Sequence, residues 1–128
     1  MFDLAATTWM YEATTGALFT VDAYGNAHAE GECGGFVDEL TDDPETFTTL
    51  RWLGFHSHTF PWFAYVDPDR RAAEIEGLVG RFDPDLVAPA HGAPIREDAV
   101  GYLRRLMPIV EQISELGLGQ DTRVTELA

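Results

Sequence analysis

The chain contains no lysine: all eight of its basic residues are arginines, set against 22 acidic ones, for a formal net charge of −14. A field this negative repels nucleic acid and anionic membrane surfaces, so neither is an expected partner. Replacing lysine stems with carboxylates keeps a surface hydrated, and the balance is read as adaptation to high salt, in a halophile. There is a single cysteine, Cys33, which excludes an internal disulfide and a multi-cysteine zinc site. No apolar run reaches the ~18 residues of a membrane-spanning helix. The opening Met-Phe-Asp-Leu has neither the basic nor the long apolar region of a secretory signal, so a cytoplasmic protein is expected.

What is present is apolar and aromatic. Of 128 residues, 45% are hydrophobic, with eight Phe, four Tyr and three Trp, enough for one domain with a real core over 1–128. Residues 4–12 are rich in Thr and aromatics and predict a strand; Thr14-Thr15-Gly16 predicts a turn, and 17–22 the second strand of a hairpin. Residues 23–35, with four glycines and no period, predict a loop. Asp43-Pro44-Glu45 and Asp67-Pro68-Asp69 each read as an N-cap followed by Pro at the first helical position. The first helix carries Phe47, Leu50 and Leu53 at helical spacing and ends or kinks at Pro61. The second carries Ala72, Ile75, Leu78, Val79 and Phe82 and stops at Asp83-Pro84. Residues 86–89 predict a short buried strand. A third helix over 97–116 has Val100, Leu103, Leu106, Met107, Val110 and Ile113 on one face, a bend at Pro108, and Gly117 and Gly119 at its end. A polar tail over 122–128 could add an edge strand. The order is strand, strand, loop, helix, helix, strand, helix: an α/β chain with few strands, whose sheet has helices on one face and leaves the other in want of a partner.

Two stretches carry the chemistry. Ala17–Val21 is apolar and ends on Asp22; Leu86–Ala90 is apolar and ends on His91-Gly92. Each brings one metal-capable side chain to the carboxyl end of a strand, the usual mouth of an open α/β sheet. A carboxylate can span two ions and an imidazole binds through one nitrogen, so zinc, iron or manganese suits them. Each residue alone has an ordinary reading too: a strand-ending Asp forms turns, and a lone His is more often structural. His28, in the glycine loop, is a further metal candidate or an exposed loop residue. His56 and His58 would share a face on a strand but point about 200° apart on a helix, which the surroundings favour. Cys33 is a soft ligand or a small loop residue. The aromatic run from Trp52 to Phe63 reads as core or interface. The acidic stretch at 38–45 reads as solvated surface and a helix cap.

Leu18-Phe-Thr-Val-Asp22-Ala-Tyr-Gly25 and Val87-Ala-Pro-Ala-His91-Gly92 together resemble the second half of a metallo-β-lactamase-fold protein, in particular the flavodiiron and oxygen-binding diiron branch. Trp9-Met10-Tyr11 and Tyr102-Leu103 resemble it as well, so the likeness runs over about residues 8–106. It implies half of an αββα sandwich, one small mixed sheet with about three helices on one face. It implies Asp22 as the metal-bridging carboxylate and His91 as the last histidine ligand. The activity implied is oxygen or nitric oxide reduction with electrons from a flavin, or hydrolysis in other branches. The family's His-x-His/Glu-x-Asp-His cluster does not occur, so the amino-terminal metal-ligand half is absent and the site is incomplete in this chain. The expected partner is a complementary first-half chain or a second copy in a homodimer. The competing expectations are a non-catalytic, self-associating half-fold and a small acidic α/β domain unconnected with metals.

Overall fold

A computed structural model describes residues 2–3 and 7–116. Residues 4–6 of the first expected strand, Gly117 and Gly119, and the 122–128 tail lie outside the described residues. The chain is α/β. Strands β1 (Phe2–Asp3) and β2 (Thr7–Thr8) form a small antiparallel ribbon. Strands β3 (Met10–Glu12), β4 (Ala17–Val21) and β5 (Leu86–Pro89) form a mixed sheet in that order. The hairpin β3–β4 pairs antiparallel, Tyr11 opposite Leu18, and its turn is tied by Glu12, whose carboxylate accepts from the Thr14 and Thr15 amides. β5 adds to β4 in parallel, Leu18 beside Val87.

The helices are α1 (Val37–Leu40), α2 (Pro44–Thr59), α3 (Pro68–Phe82) and α4 (Ala99–Glu115), with a 3₁₀ turn at Pro61–Tyr65. Both Asp-Pro starts cap as expected: Asp43 accepts from the Thr46 amide, and Asp67 from those of Asp69 and Arg70. The fold is half of a metallo-β-lactamase-like sandwich. Its three long helices match the expected number; α1 and the 3₁₀ turn are additions. α1 falls in the acidic stretch read as solvated surface. It docks because Val37 is buried and donates to the Pro94 carbonyl, while Asp38 and Glu39 both reach Arg96.

One expected helical stripe needs correcting. On α2, Thr48, Trp52 and His56 are fully buried at four-residue steps, Phe47 and Leu53 are half-buried against the core, and Leu50 is exposed. Hydrophobicity found only the flank of the buried face because two of its central members are polar; Thr48 is satisfied within its own helix by donating to the Pro44 carbonyl. β4 is covered on one face only. Leu18 and Thr20 lie under the helices, but on the opposite face Phe19 is 39% exposed beside Met10 at 58%. α4 runs through the middle of the helical layer. It packs on α2, α3, the 3₁₀ turn and β5 through Leu103, Leu106, Val110 and Ile113.

Candidate functional site

The parallel pairing of β4 and β5 sets Asp22 and His91 side by side. The two exits are stitched together twice: the Ala90 amide donates to the Val21 carbonyl at 2.6 Å, and the Asn26 amide to the His91 carbonyl at 3.1 Å. His91 Nε2 then lies 3.3 Å from Asp22 Oδ1. The imidazole is 63% exposed and the carboxylate 32%, so the pair opens to solvent at the sheet edge. The Phe55 ring, from α2, stands against the imidazole with centroids 6.2 Å apart.

The turn that carries Asp22 is strained. Val21 and Tyr24 both adopt left-handed backbone (φ 56° and 64°), which costs a non-glycine residue on the order of 1–3 kcal/mol. Tertiary contacts hold it. The Thr20 hydroxyl donates to the Ala23 carbonyl, the Tyr24 phenol to the Leu103 carbonyl, and the Tyr24 amide to Nε2 of His56.

Gly92 serves the same junction. Its φ is +89°, and a β-carbon there would lie 2.5 Å from the side-chain amide of Asn26. That amide is buried, with no hydrogen-bond partner among the described residues. Gly92→Ala is expected to cost at least about 1–2 kcal/mol from the backbone alone. Denaturant unfolding, with NMR shift changes confined to residues around Asn26 and His91, checks it.

His28 and Cys33 meet in the glycine loop, Sγ 3.0 Å from Nε2, and line a cleft of about 340 Å³ together with His91. The loop is anchored by Glu32, which takes a two-pronged ion pair from Arg51 at 2.6 and 2.8 Å. Those bonds and the Ala29 amide hold the Glu32 carboxyl down at about 2. His58 is exposed near the end of α2. His56 is in the core: Nε2 accepts from Tyr24, and Nδ1 is 2.8 Å from the Trp52 carbonyl. Neither nitrogen is left for an ion. The His28–Cys33 contact had no signal in the sequence beyond two polar residues in one glycine loop. Similarly, the His56–Tyr24 bond joins segments 32 positions apart.

The donors do not amount to a metal centre. Among the described residues no group of three or more His, Cys, Asp or Glu side chains is placed to hold an ion. A zinc site ordinarily takes three or four protein donors, and a two-metal site more. Asp22 and His91 fit at most one corner of such a centre.

The fold defines the class: a small mixed sheet with helices, as in half of a metallo-β-lactamase-like sandwich. Among solved structures it is similar to rubredoxin:oxygen oxidoreductase from the anaerobe Desulfovibrio gigas, at a TM-score of 0.55 and 18% identity. The match covers 88% of this chain but only 25% of that one. No protein-family model matches the sequence, and no curated protein does. No helix among the described residues is long and apolar enough to cross a membrane.

Proposed function

We propose that this chain contributes two donors, the bridging carboxylate Asp22 and the terminal imidazole His91, to a dinuclear iron or zinc centre completed by a second polypeptide. The parent activity is that of an oxidoreductase of the flavodiiron kind, acting on oxygen or nitric oxide, or of a metallohydrolase; the chain alone is inactive. The observation that carries this reading is the 3.3 Å approach of the two side chains at the carboxyl ends of neighbouring parallel strands. The half-exposed sheet face with Met10 and Phe19 supports the need for a partner. The aromatic run supports it less, because Trp52, Phe60 and Phe63 are spent on this chain's own core.

The test is uptake of Fe(II) and Zn(II) by the chain alone, then mixed with a chain bearing the His-x-His/Glu-x-Asp-His segment. Weak binding alone and stoichiometric binding in the mixture are expected. Asp22→Asn and His91→Gln should each weaken the latter by at least about tenfold. A mixture that takes up no metal refutes the reading. The same sheet face also favours a non-catalytic, self-associating module, for which sedimentation equilibrium would show a dimer that takes up no metal.

A further inference from the structure

The geometry points to His56 as the positioning residue of the Asp22–His91 pair, acting through the backbone of the turn that carries Asp22. A backbone amide can only donate, so the 2.9 Å contact from the Tyr24 amide requires an unprotonated Nε2. The ring hydrogen therefore sits on Nδ1 and donates to the Trp52 carbonyl, one helical turn back. That second bond fixes the tautomer, and the stack with Phe63 and the tilted contact with Phe60 fix the ring plane.

Packing alone does not call for an imidazole here. Phenylalanine would fill the same aromatic surroundings without desolvating a polar ring. What the imidazole supplies and phenylalanine cannot is an acceptor for a buried amide in a left-handed turn two residues from Asp22. Without it that donor is orphaned, and the strained backbone at Val21 and Tyr24 loses a restraint. The next residue on α2 completes the arrangement. Phe55 lies against Gly25, where a β-carbon would come within 2.7 Å of its ring, and it also faces His91. Adjacent side chains of one helix thus brace both halves of the pair, His56 from beneath the Asp22 turn and Phe55 beside the imidazole. The functional weight of this bracing rests on the proposed role of the pair; its geometry does not.

The test uses the full chain with His56→Phe, which removes the acceptor, and His56→Gln, whose amide oxygen can replace it. His56→Phe is expected to speed hydrogen exchange of the amides of residues 23–26 by at least about tenfold relative to those of α4. It should also open the Asp22–His91 separation beyond 4 Å in a crystal structure, and His56→Gln should restore both. Turn exchange and separation unchanged in His56→Phe would reduce His56 to packing and overturn the inference. Should that variant not fold, the wild-type protein decides. A through-hydrogen-bond ¹⁵N–¹⁵N coupling between Tyr24 and His56 Nε2 is expected, and its absence overturns the inference. Failure of metal uptake by the mixture described above would sink the proposed function while leaving these readouts as they are.

Discussion

Replacing Trp52 with alanine is expected to remove about 3–5 kcal/mol of folding free energy, a large share of the ~5–15 kcal/mol that holds a domain together. Trp52 is 1% exposed and sits where the layers meet. Its indole makes edge contacts with Tyr24 below the Asp22 turn, with His56 one helical turn on, and with Tyr102 of α4. Truncation would leave a cavity bordered by three rings that are themselves tied elsewhere, so little collapse can follow. Trp52→Phe is expected to be much milder, because Nε1 has no partner among the described residues and its loss removes an unpaired donor. Urea unfolding of both variants checks the pair of values. An alanine variant within 1 kcal/mol of wild type would mean that Trp52 is not the keystone described.

Acid should destabilise the protein by on the order of 3 kcal/mol between neutral pH and pH 4 through His56 alone. Burial pulls the His56 pKa from 6.5 down to about 4, against a smaller opposing contribution from its bond to the Trp52 carbonyl. The unfolded chain therefore takes up this proton first. The contribution is fully present above about pH 6.5, shrinks as pH falls, and is gone below about 4. The rings facing His56 are those of Trp52, Phe55, Phe60 and Phe63, while the nearby Tyr24 phenol is pushed up by burial and stays neutral. The other three imidazoles are exposed. Glu12 and Glu32 are held at about 2, so their favourable contributions fade only below the usual carboxylate range, under pH 4.5. Relief of repulsion among the many carboxylates works in the opposite direction, equally in wild type and variant. Stability measured from pH 7 to 4 should thus fall less in His56→Gln than in wild type, and equal slopes would refute the assignment.

The helix starts were readable because Asp-Pro is a local instruction: the carboxylate caps and the proline fits the first turn wherever the segment ends up. The strand 86–89 and the 17–22 strand were readable for a similar reason, as short apolar runs closed by turn residues. The inward face of α2 was readable only in part, at Phe47 and Leu53. Thr48 and His56 are polar and belong to the core only because the Pro44 carbonyl, the Trp52 carbonyl and the Tyr24 amide await them. The last of these lies in a different part of the chain, and no local pattern encodes it. Asp22 and His91 could be singled out as strand-end residues, but their approach depends on β4 and β5 being neighbours. That pairing joins segments about 65 residues apart, and no local pattern encodes it. The left-handed turns at Val21 and Tyr24 defy residue preference outright, since neither is a glycine or asparagine.

The pairing of β4 with β5 joins the first fifth of the chain to its last third. On the ribosome, β3 and β4 can zip together early, but the free edge of β4 must wait for roughly 65 more residues, several seconds of synthesis. Until then an unpaired, partly apolar strand is on offer to any other edge in the vicinity. Mutual repulsion among copies this acidic works against such pairing during that interval.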